Sequence, residues 1–554
     1  MKFLLIRSFL LLMLAQVSLT APAQPLSKKP GFTRQDTLRG SIGPARSWWD
    51  VLHYDITVTP DYESKTITGK TTITYKITGD RKSDYLQVDL QQPLTIDSIF
   101  YNNKLYINYP AKPYYNEGNA WFIPLPRASV GSTQQITLVY HGKPKEAKNA
   151  PWDGGWVFKK DEKGRPWMSV ACQGQGASVW FPCKDHQGDE PDNGATMTVK
   201  VPEPLVAVGN GRLKNKVSAN GMTSYTWNVT SPINSYTIIP YIGHYISWSD
   251  TLQGEKGTLP LTFWSLDYDE QQARKQFAQL KPTLRAMEFW LGPYPFYEDG
   301  FQLIQAPYLG MEHQSAVAYG NQFKNGYLGR DLSGSGWGMK WDYIIVHETA
   351  HEWFGNNITS KDIADMWVHE SFTDYAETLF TEYYYGKQAA NEYVQGLRKN
   401  IANDIPIIGP YGVNQEGSGD MYYKGANLVH MIRQIINNDS VFRRLLRGMN
   451  EDFYHKTVTT AEIESYINRV SGKDFSKVFN QYLRTANIPT LELKADGDKM
   501  KFRWTDAVAG FNMPVRLTNG QWIYPTTAEQ KIKIENANFS GVDVDKNFYI
   551  RVKK

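Results

Sequence analysis

Two histidines four positions apart, His347 and His351, bracket Glu348 inside the apolar-patterned segment from Trp341 to Phe354. On a helix of about 3.6 residues per turn that spacing puts both imidazoles on one face, where they can grip one cation. Neutral imidazole suits Zn²⁺, and a catalytic zinc needs a third protein ligand and a position left for water. Glu370 follows His351 after eighteen intervening residues, enough to end one helix, turn, and bring a second one back alongside. Its carboxylate then completes a two-histidine, one-carboxylate set for a single zinc ion per chain. Glu377 lies seven residues beyond Glu370, so it shares that helix face and is placed to hydrogen-bond a ligating histidine. Glu348, beside the first ligand, is placed to take the proton of a water activated by the metal and later return it. The expected chemistry is metal-assisted hydrolysis.

Those residues need a scaffold. At 554 residues, with 41% hydrophobic and 14% aromatic content, the chain can bury several cores and does not carry the composition of disorder. Lys2 and Arg7 precede an apolar run from Phe9 to Ala15, and Ala21-Pro22-Ala23 follows. This reads as a cleavable secretory signal over residues 1–23, which predicts a secreted or periplasmic protein. The run is shorter than the ~20 residues that span a bilayer, so no transmembrane segment is expected after cleavage. Losing Lys2 and Arg7 takes the formal charge from +4 to +2, which leaves no basic excess for nucleic acid. Cys172 and Cys183 are the only cysteines, compatible with either one bridge or two free buried thiols.

Beyond an N-terminal extension over residues 24–47, short alternating segments such as Leu52–Val58 and Gln135–Tyr140 run from 48 to 248, punctuated by Gly, Pro, Asn and Asp. They predict an all-β N-terminal domain. From 249 to 488 the texture turns helical. A stripe from Asp269 to Leu291, with Ala273, Phe277, Leu280, Leu284 and Met287 at threes and fours, predicts one helix despite Pro282. Further helices are expected over Trp341–Phe354, Met366–Tyr385 and Lys424–Ile436, and a last one opening on the capping box Thr459-Thr460-Ala461-Glu462. Residues 489–554 return to strand patterning as a small β module. The fold class is therefore multidomain α+β.

His-Glu-x-x-His, eighteen residues, then Glu resembles the aminopeptidase N family of zinc metallopeptidases (gluzincins), in a short three-domain form. The likeness runs from about Trp48 to Pro489. Leu309-Gly310-Met311-Glu312-His313 resembles that family's Gly-x-Met-Glu-Asn exopeptidase motif, Tyr422-Tyr423-Lys424-Gly425 its Tyr-x-Lys-Gly, and Pro293-Tyr294-Pro295-Phe296 a further conserved run. The resemblance implies a thermolysin-like α/β catalytic domain and a small C-terminal β-sandwich-like domain. It implies removal of N-terminal residues from peptides with a free amine. In that scheme Glu312, Gly310 and Met311 bind substrate, and Glu312 pairs with the charged α-amine. Tyr422, protonated because phenol titrates near ~10, donates a hydrogen bond to the oxyanion. Gln173 resembles the first-domain residue that also touches the amine, with Gln175 an equal alternative.

Three departures stand out. Leu309 and His313 replace Gly and Asn at the ends of the exopeptidase motif, which predicts an amine pocket of different shape. Asn414 stands where the family's leukotriene epoxide hydrolases carry an aspartate, and Gly417 where they carry a second tyrosine. A long C-terminal helical domain has no counterpart before residue 554, so a more open cleft is expected. Two other activities remain consistent with the metal motif: a zinc endopeptidase, and a non-catalytic peptide-binding relative.

Overall fold

The computed structural model describes residues 31–106, 113–497, 499–533 and 542–554; the signal read over 1–23 lies outside them. The first element among the described residues is helix α1 (Arg34–Gly40), capped by Thr33 and Asp36 in a reciprocal box. It occupies the segment read as an extension.

Strands from Trp49 to Gly243 form three sheets. The largest has eight strands and is built around Trp49–Asp61, which pairs antiparallel with Thr66–Ile77 and parallel with Ala195–Pro202. In-and-out alternation buries Tyr54, Ile56 and Val58 on one face, the pattern of a half-covered strand. A four-stranded sheet carries Pro166–Ala171, whose end leads directly into Cys172 and Gln173. Cys172 and Cys183 are buried free thiols.

Strand Tyr245–Gly254 pairs along its whole length with Gly257–Leu266, so it belongs to the next sheet and crosses the 248/249 boundary drawn from sequence. That five-stranded sheet continues through Phe301–Gln305 and Ala316–Tyr319 to the edge strand Gly310–Met311. Its two faces have different neighbours. Leu261, Phe263, Leu303 and Val317 join the helical core, whereas Leu266, Ile304, Ala316 and Ala318 join the core of the N-terminal β domain. Period-two alternation thus glues the domains through one sheet, and the edge strand opens at their junction.

Nine helices follow among the described residues: α2 (Glu270–Phe277), α3 (Leu280–Leu291), α4 (Tyr343–Ala350), α5 (Trp367–Tyr385), α6 (Lys387–Gly396), α7 (Tyr423–Ile436), α8 (Asp439–Asp452), α9 (Thr460–Ser471) and α10 (Ser476–Arg484). The stripe over Asp269–Leu291 is two helices, not one. Pro282 sits in the first turn of α3, where its missing N–H costs nothing and a continuous helix would have been broken. Helix α9 begins on the expected capping box, whereas α6, α8 and α10 have no counterpart among the helices expected from sequence.

The last residues form a four-stranded sheet (Thr490–Asp496, Lys499–Thr505, Gln530–Lys533, Arg551–Lys553) and the ribbon of Val515–Arg516 with Trp522–Ile523. Leu491, Leu493, Phe502 and Trp504 belong to the same continuous core as the catalytic helices. Tyr482 of α10 and His430 of α7 hydrogen-bond across to the Tyr549 carbonyl and Asn547 at 2.7 and 3.0 Å. This module is an outer layer on the helices. No helix among the described residues is long and apolar enough to cross a membrane.

Candidate active site

Helix α4 is short, and its ends explain its role. Asp342 caps the start, accepting from the Ile344 and Ile345 amides at 3.0 and 3.3 Å, and is tied by Tyr319 to the sheet. The expected span to Phe354 is cut back because the chain turns out after Ala350; His351 is the capping residue itself, still in helical conformation. His347 and His351 therefore keep their common face, with Nε2 atoms 3.2 Å apart. Helix α5 returns alongside and brings Glu370 Oε2 to 3.4 Å from His351 Nε2 and 3.8 Å from His347 Nε2.

The other imidazole nitrogens are occupied. His347 Nδ1 faces Glu377 Oε1 at 2.6 Å, and His351 Nδ1 faces the Phe354 carbonyl at 2.9 Å and Thr373 Oγ1 at 3.2 Å. Tyr393 donates to the second Glu377 oxygen at 2.6 Å. The two Nε2 atoms and Glu370 Oε2, a buried oxygen without a hydrogen-bond donor, thus converge on one point that calls for positive charge. Two ligands held ~2.0–2.1 Å from a tetrahedral zinc stand about 3.3–3.4 Å apart, close to the spacing seen. The donor set fits that ion. Burial and the neighbouring His351 hold His347 down at about 3; burial also pulls on His351, but Glu370, Glu312 and Glu348 outweigh it and lift it to about 10. The acids gathered around His351 thus favour positive charge at this point, which a divalent cation would supply.

Around this point lies a cavity of about 70 Å³ lined by Trp152 and Gln173 from the β domain and by Leu309, Gly310, Met311, Glu312, Tyr327, Glu348 and Tyr422 from the catalytic domain. Gly310 lies close over Glu348: an added Cβ would come 2.7 Å from Ile344 and 2.8 Å from Glu348 Oε1. Burial pushes the Glu348 carboxyl well above the usual carboxylate range. Glu312, 2% exposed, accepts from Gln173 Nε2 at 2.8 Å and from the Tyr236 hydroxyl at 2.9 Å. Gln173 Nε2 also reaches Glu370 Oε1 at 3.4 Å, so one amide separates the Glu312 carboxylate from a metal-ligand carboxylate. Burial raises Glu312, the condition of an acid awaiting a cation.

Tyr422 caps α7 rather than lying within it. Its ring stacks beside His347 at 6.2 Å, and burial with the nearby Glu370 raises its hydroxyl well above the ordinary value, so it stays a donor. Gly425 explains how α7 comes this close to α5, because a Cβ there would fall 1.8 Å from Ser371 Oγ.

Of the two glutamines left open by sequence, Gln173 faces the pocket, while Gln175 turns its amide oxygen to Lys145 Nζ at 2.8 Å. Leu309 lines the cavity, but His313 does not; its Nδ1 meets the Tyr241 hydroxyl at 2.6 Å inside the domain junction. Tyr236, Trp152, Thr373 and Tyr393 were missed in the sequence. Thr373 stands on α5 itself, three residues after Glu370; the other three come from other segments, and a lone tyrosine or tryptophan in a chain with 34 Tyr and 17 Trp carries no local signal.

The arrangement defines a metal hydrolase whose pocket is shared between a β domain and a helical domain. Residues 305–482 match the Peptidase family M1 domain and residues 51–237 the Peptidase M1 N-terminal domain, and the chain belongs to the M1 peptidase family. It is 23% identical over 444 residues to leukotriene A-4 hydrolase of Xenopus laevis, covering 76% of this chain and 68% of that protein. It is 22% identical over 480 residues to the alanine/arginine aminopeptidase of Saccharomyces cerevisiae, 81% of this chain but 53% of the relative; the chain spans about half the length of several such relatives. Among solved structures, an M1 zinc metallopeptidase from Deinococcus radiodurans aligns with TM-score 0.65 at 19% identity, covering 80% of this chain and 96% of that one. Legionella pneumophila aminopeptidase A aligns with TM-score 0.72 at 18% identity, covering 92% and 60%. These likenesses establish the fold.

Proposed function

We propose that this chain is a zinc-dependent aminopeptidase that hydrolyses the first peptide bond of substrates with a free N-terminus. The observation that carries the reading is Glu312: a buried carboxylate that ligates nothing, held one amide away from Glu370 by Gln173 and Tyr236. A charged α-amine answers its charge, and its fixed offset from the ligands places the first carbonyl at the reaction point.

His347, His351 and Glu370 would hold the ion, with Glu377 orienting His347. When bound, zinc supplies Lewis acidity, making water a nucleophile near neutral pH and polarising the carbonyl. Glu348 takes the proton of that water and delivers it to the departing amine. The Tyr422 hydroxyl donates to the oxygen that gains negative charge. Gly310 and Met311, on the open edge of the sheet, offer backbone groups against which a peptide can lie as an added strand. The secretory-signal pattern read over residues 1–23 supports a secreted or periplasmic location.

The test is to measure bound zinc and hydrolysis of aminoacyl amides by wild type, Glu348→Gln and Tyr422→Phe. Glu348→Gln should retain zinc and lose turnover; Tyr422→Phe should lose about 10²–10³ in kcat, the range for one oxyanion donor. Equal turnover in wild type and Glu348→Gln removes the mechanism, and internal cleavage of N-acetylated peptides establishes an endopeptidase instead.

A further inference from the structure

Gln173 sits on the loop Cys172–Gly176, and that loop is held from behind. Gly174 and Gly176 take φ of +68° and +87°, and a Cβ on Gly176 would come 2.0 Å from Asp185 Oδ2, so the turn has little room to shift. Its outer side presents the Gly174 and Gln175 carbonyls to helix α1. The Arg39 guanidinium donates to both, Nη2 to Gly174 and Nη1 to Gln175. From the catalytic domain, Asn414 Nδ2 donates to the same Gly174 carbonyl at 3.0 Å.

The helix grips that second domain too. The Asn414 amide donates to the Asp36 carbonyl at 2.9 Å, and at Gly40 the chains touch backbone to backbone, an added Cβ lying 2.2 Å from the Val413 carbonyl carbon. Eight residues after Asn414 comes Tyr422. On its other side α1 is fastened to the β domain: Gln35 Nε2 donates to the Glu117 carbonyl at 3.0 Å and Gln35 Oε1 accepts from the Asn119 amide at 2.9 Å. Gln87 Nε2 donates to the Leu38 carbonyl at 3.0 Å. Arg46, buried against Asp89, donates to the Arg39 carbonyl at 2.6 Å.

We infer that α1 is a clamp across the domain junction and that Arg39 is a positioning residue for the amine site, holding the Gln173 loop in register with Glu312 and with the segment leading to Tyr422. The inference rests on the aminopeptidase reading for its kinetic consequence but not for its structural one. A guanidinium presents its donors to the two carbonyls as a rigid, pre-organised fork, whereas lysine offers a compact point charge on a flexible stem. Charge-assisted donors are the strong ones, and small displacements of a positioning group are costly to a reaction that depends on orientation.

The experiment compares wild type, Arg39→Ala, Arg39→Lys and Asn414→Ala as full-length, zinc-loaded proteins, by steady-state kinetics on an aminoacyl amide and by amide hydrogen exchange. For Arg39→Ala, KM should rise about tenfold with kcat within about threefold, the loss expected when charged hydrogen bonds to a positioning loop are removed. Arg39→Lys should recover part of the loss, and Asn414→Ala should show a smaller change of the same kind. Exchange should accelerate in residues 172–178 and stay unchanged in α5. KM within twofold of wild type together with unchanged exchange in 172–178 overturns the clamp, as does acceleration spread evenly over the β domain. A wild type without turnover refutes the aminopeptidase reading, and the exchange arm still decides the clamp.

Discussion

Substituting Glu312 by Gln isolates the feature that separates an aminopeptidase from other zinc peptidases. The amide keeps the shape of the side chain and a carbonyl oxygen for Gln173 Nε2 and the Tyr236 hydroxyl, now at 2.8 and 2.9 Å. What it removes is the charge facing the substrate α-ammonium. Hydrogen bonds to charged groups contribute about 1.5–3 kcal/mol against about 0.5–1.5 for neutral ones, so the exchange should cost about 1–2 kcal/mol. The side chain is 2% exposed, so solvent does little to screen the loss, and the upper end applies. With about 1.4 kcal/mol per tenfold, that range corresponds to a fall of about 5- to 30-fold in kcat/KM for aminoacyl amides, and the upper end is expected. The assay is hydrolysis of matched chromogenic amides with free and N-acetylated α-amines. Wild type should turn over only the free-amine compound, and Glu312→Gln should narrow the gap between the two by weakening the free one. A variant within twofold of wild type on the free amine, with the gap intact, refutes the role given to Glu312.

Glu377 accepts from His347 Nδ1 at 2.6 Å and is itself held by Tyr393; Glu377→Ala should weaken zinc affinity about 10- to 100-fold, measured by competition with a chelator, as loss of a ligand's hydrogen-bonding partner does elsewhere. Acid stability provides a check away from the metal. Burial holds His313 and His430 at about 3, below the 6.5 of a free imidazole, so the unfolded chain binds more protons than the folded one between those values. Their stabilising contribution is present above pH 6.5 and is lost progressively as pH falls toward 3. Tm should therefore drop between pH 7 and 5, and His430→Asn should flatten that drop; an unchanged slope would show that His430 is not among the groups responsible.

Much of the metal site was legible because its logic is local. A four-residue spacing on a helix fixes two imidazoles to one face whatever the rest of the fold does, and a seven-residue spacing puts Glu370 and Glu377 on one face of α5, although the chain also forms the short strand Ile358–Ser360 on the way from α4 to α5. Helix ends were less legible. The stop after Ala350 depends on packing, and the break between α2 and α3 depends on where Pro282 falls relative to a helix start, which periodicity alone does not reveal.

The sequence by itself thus singled out the residues proposed as ligands and base and the β–helical–β order of the chain, since each rests on spacings that the backbone converts directly into geometry. Tertiary structure alone decided that Gln173 and not Gln175 meets Glu312, that Tyr236 shares that carboxylate, and that α1 backs the loop from outside. These contacts join residues separated by 76 to 240 positions. They exist because one sheet buries its two faces in two different cores, and no local pattern records which loops that sandwiching brings together.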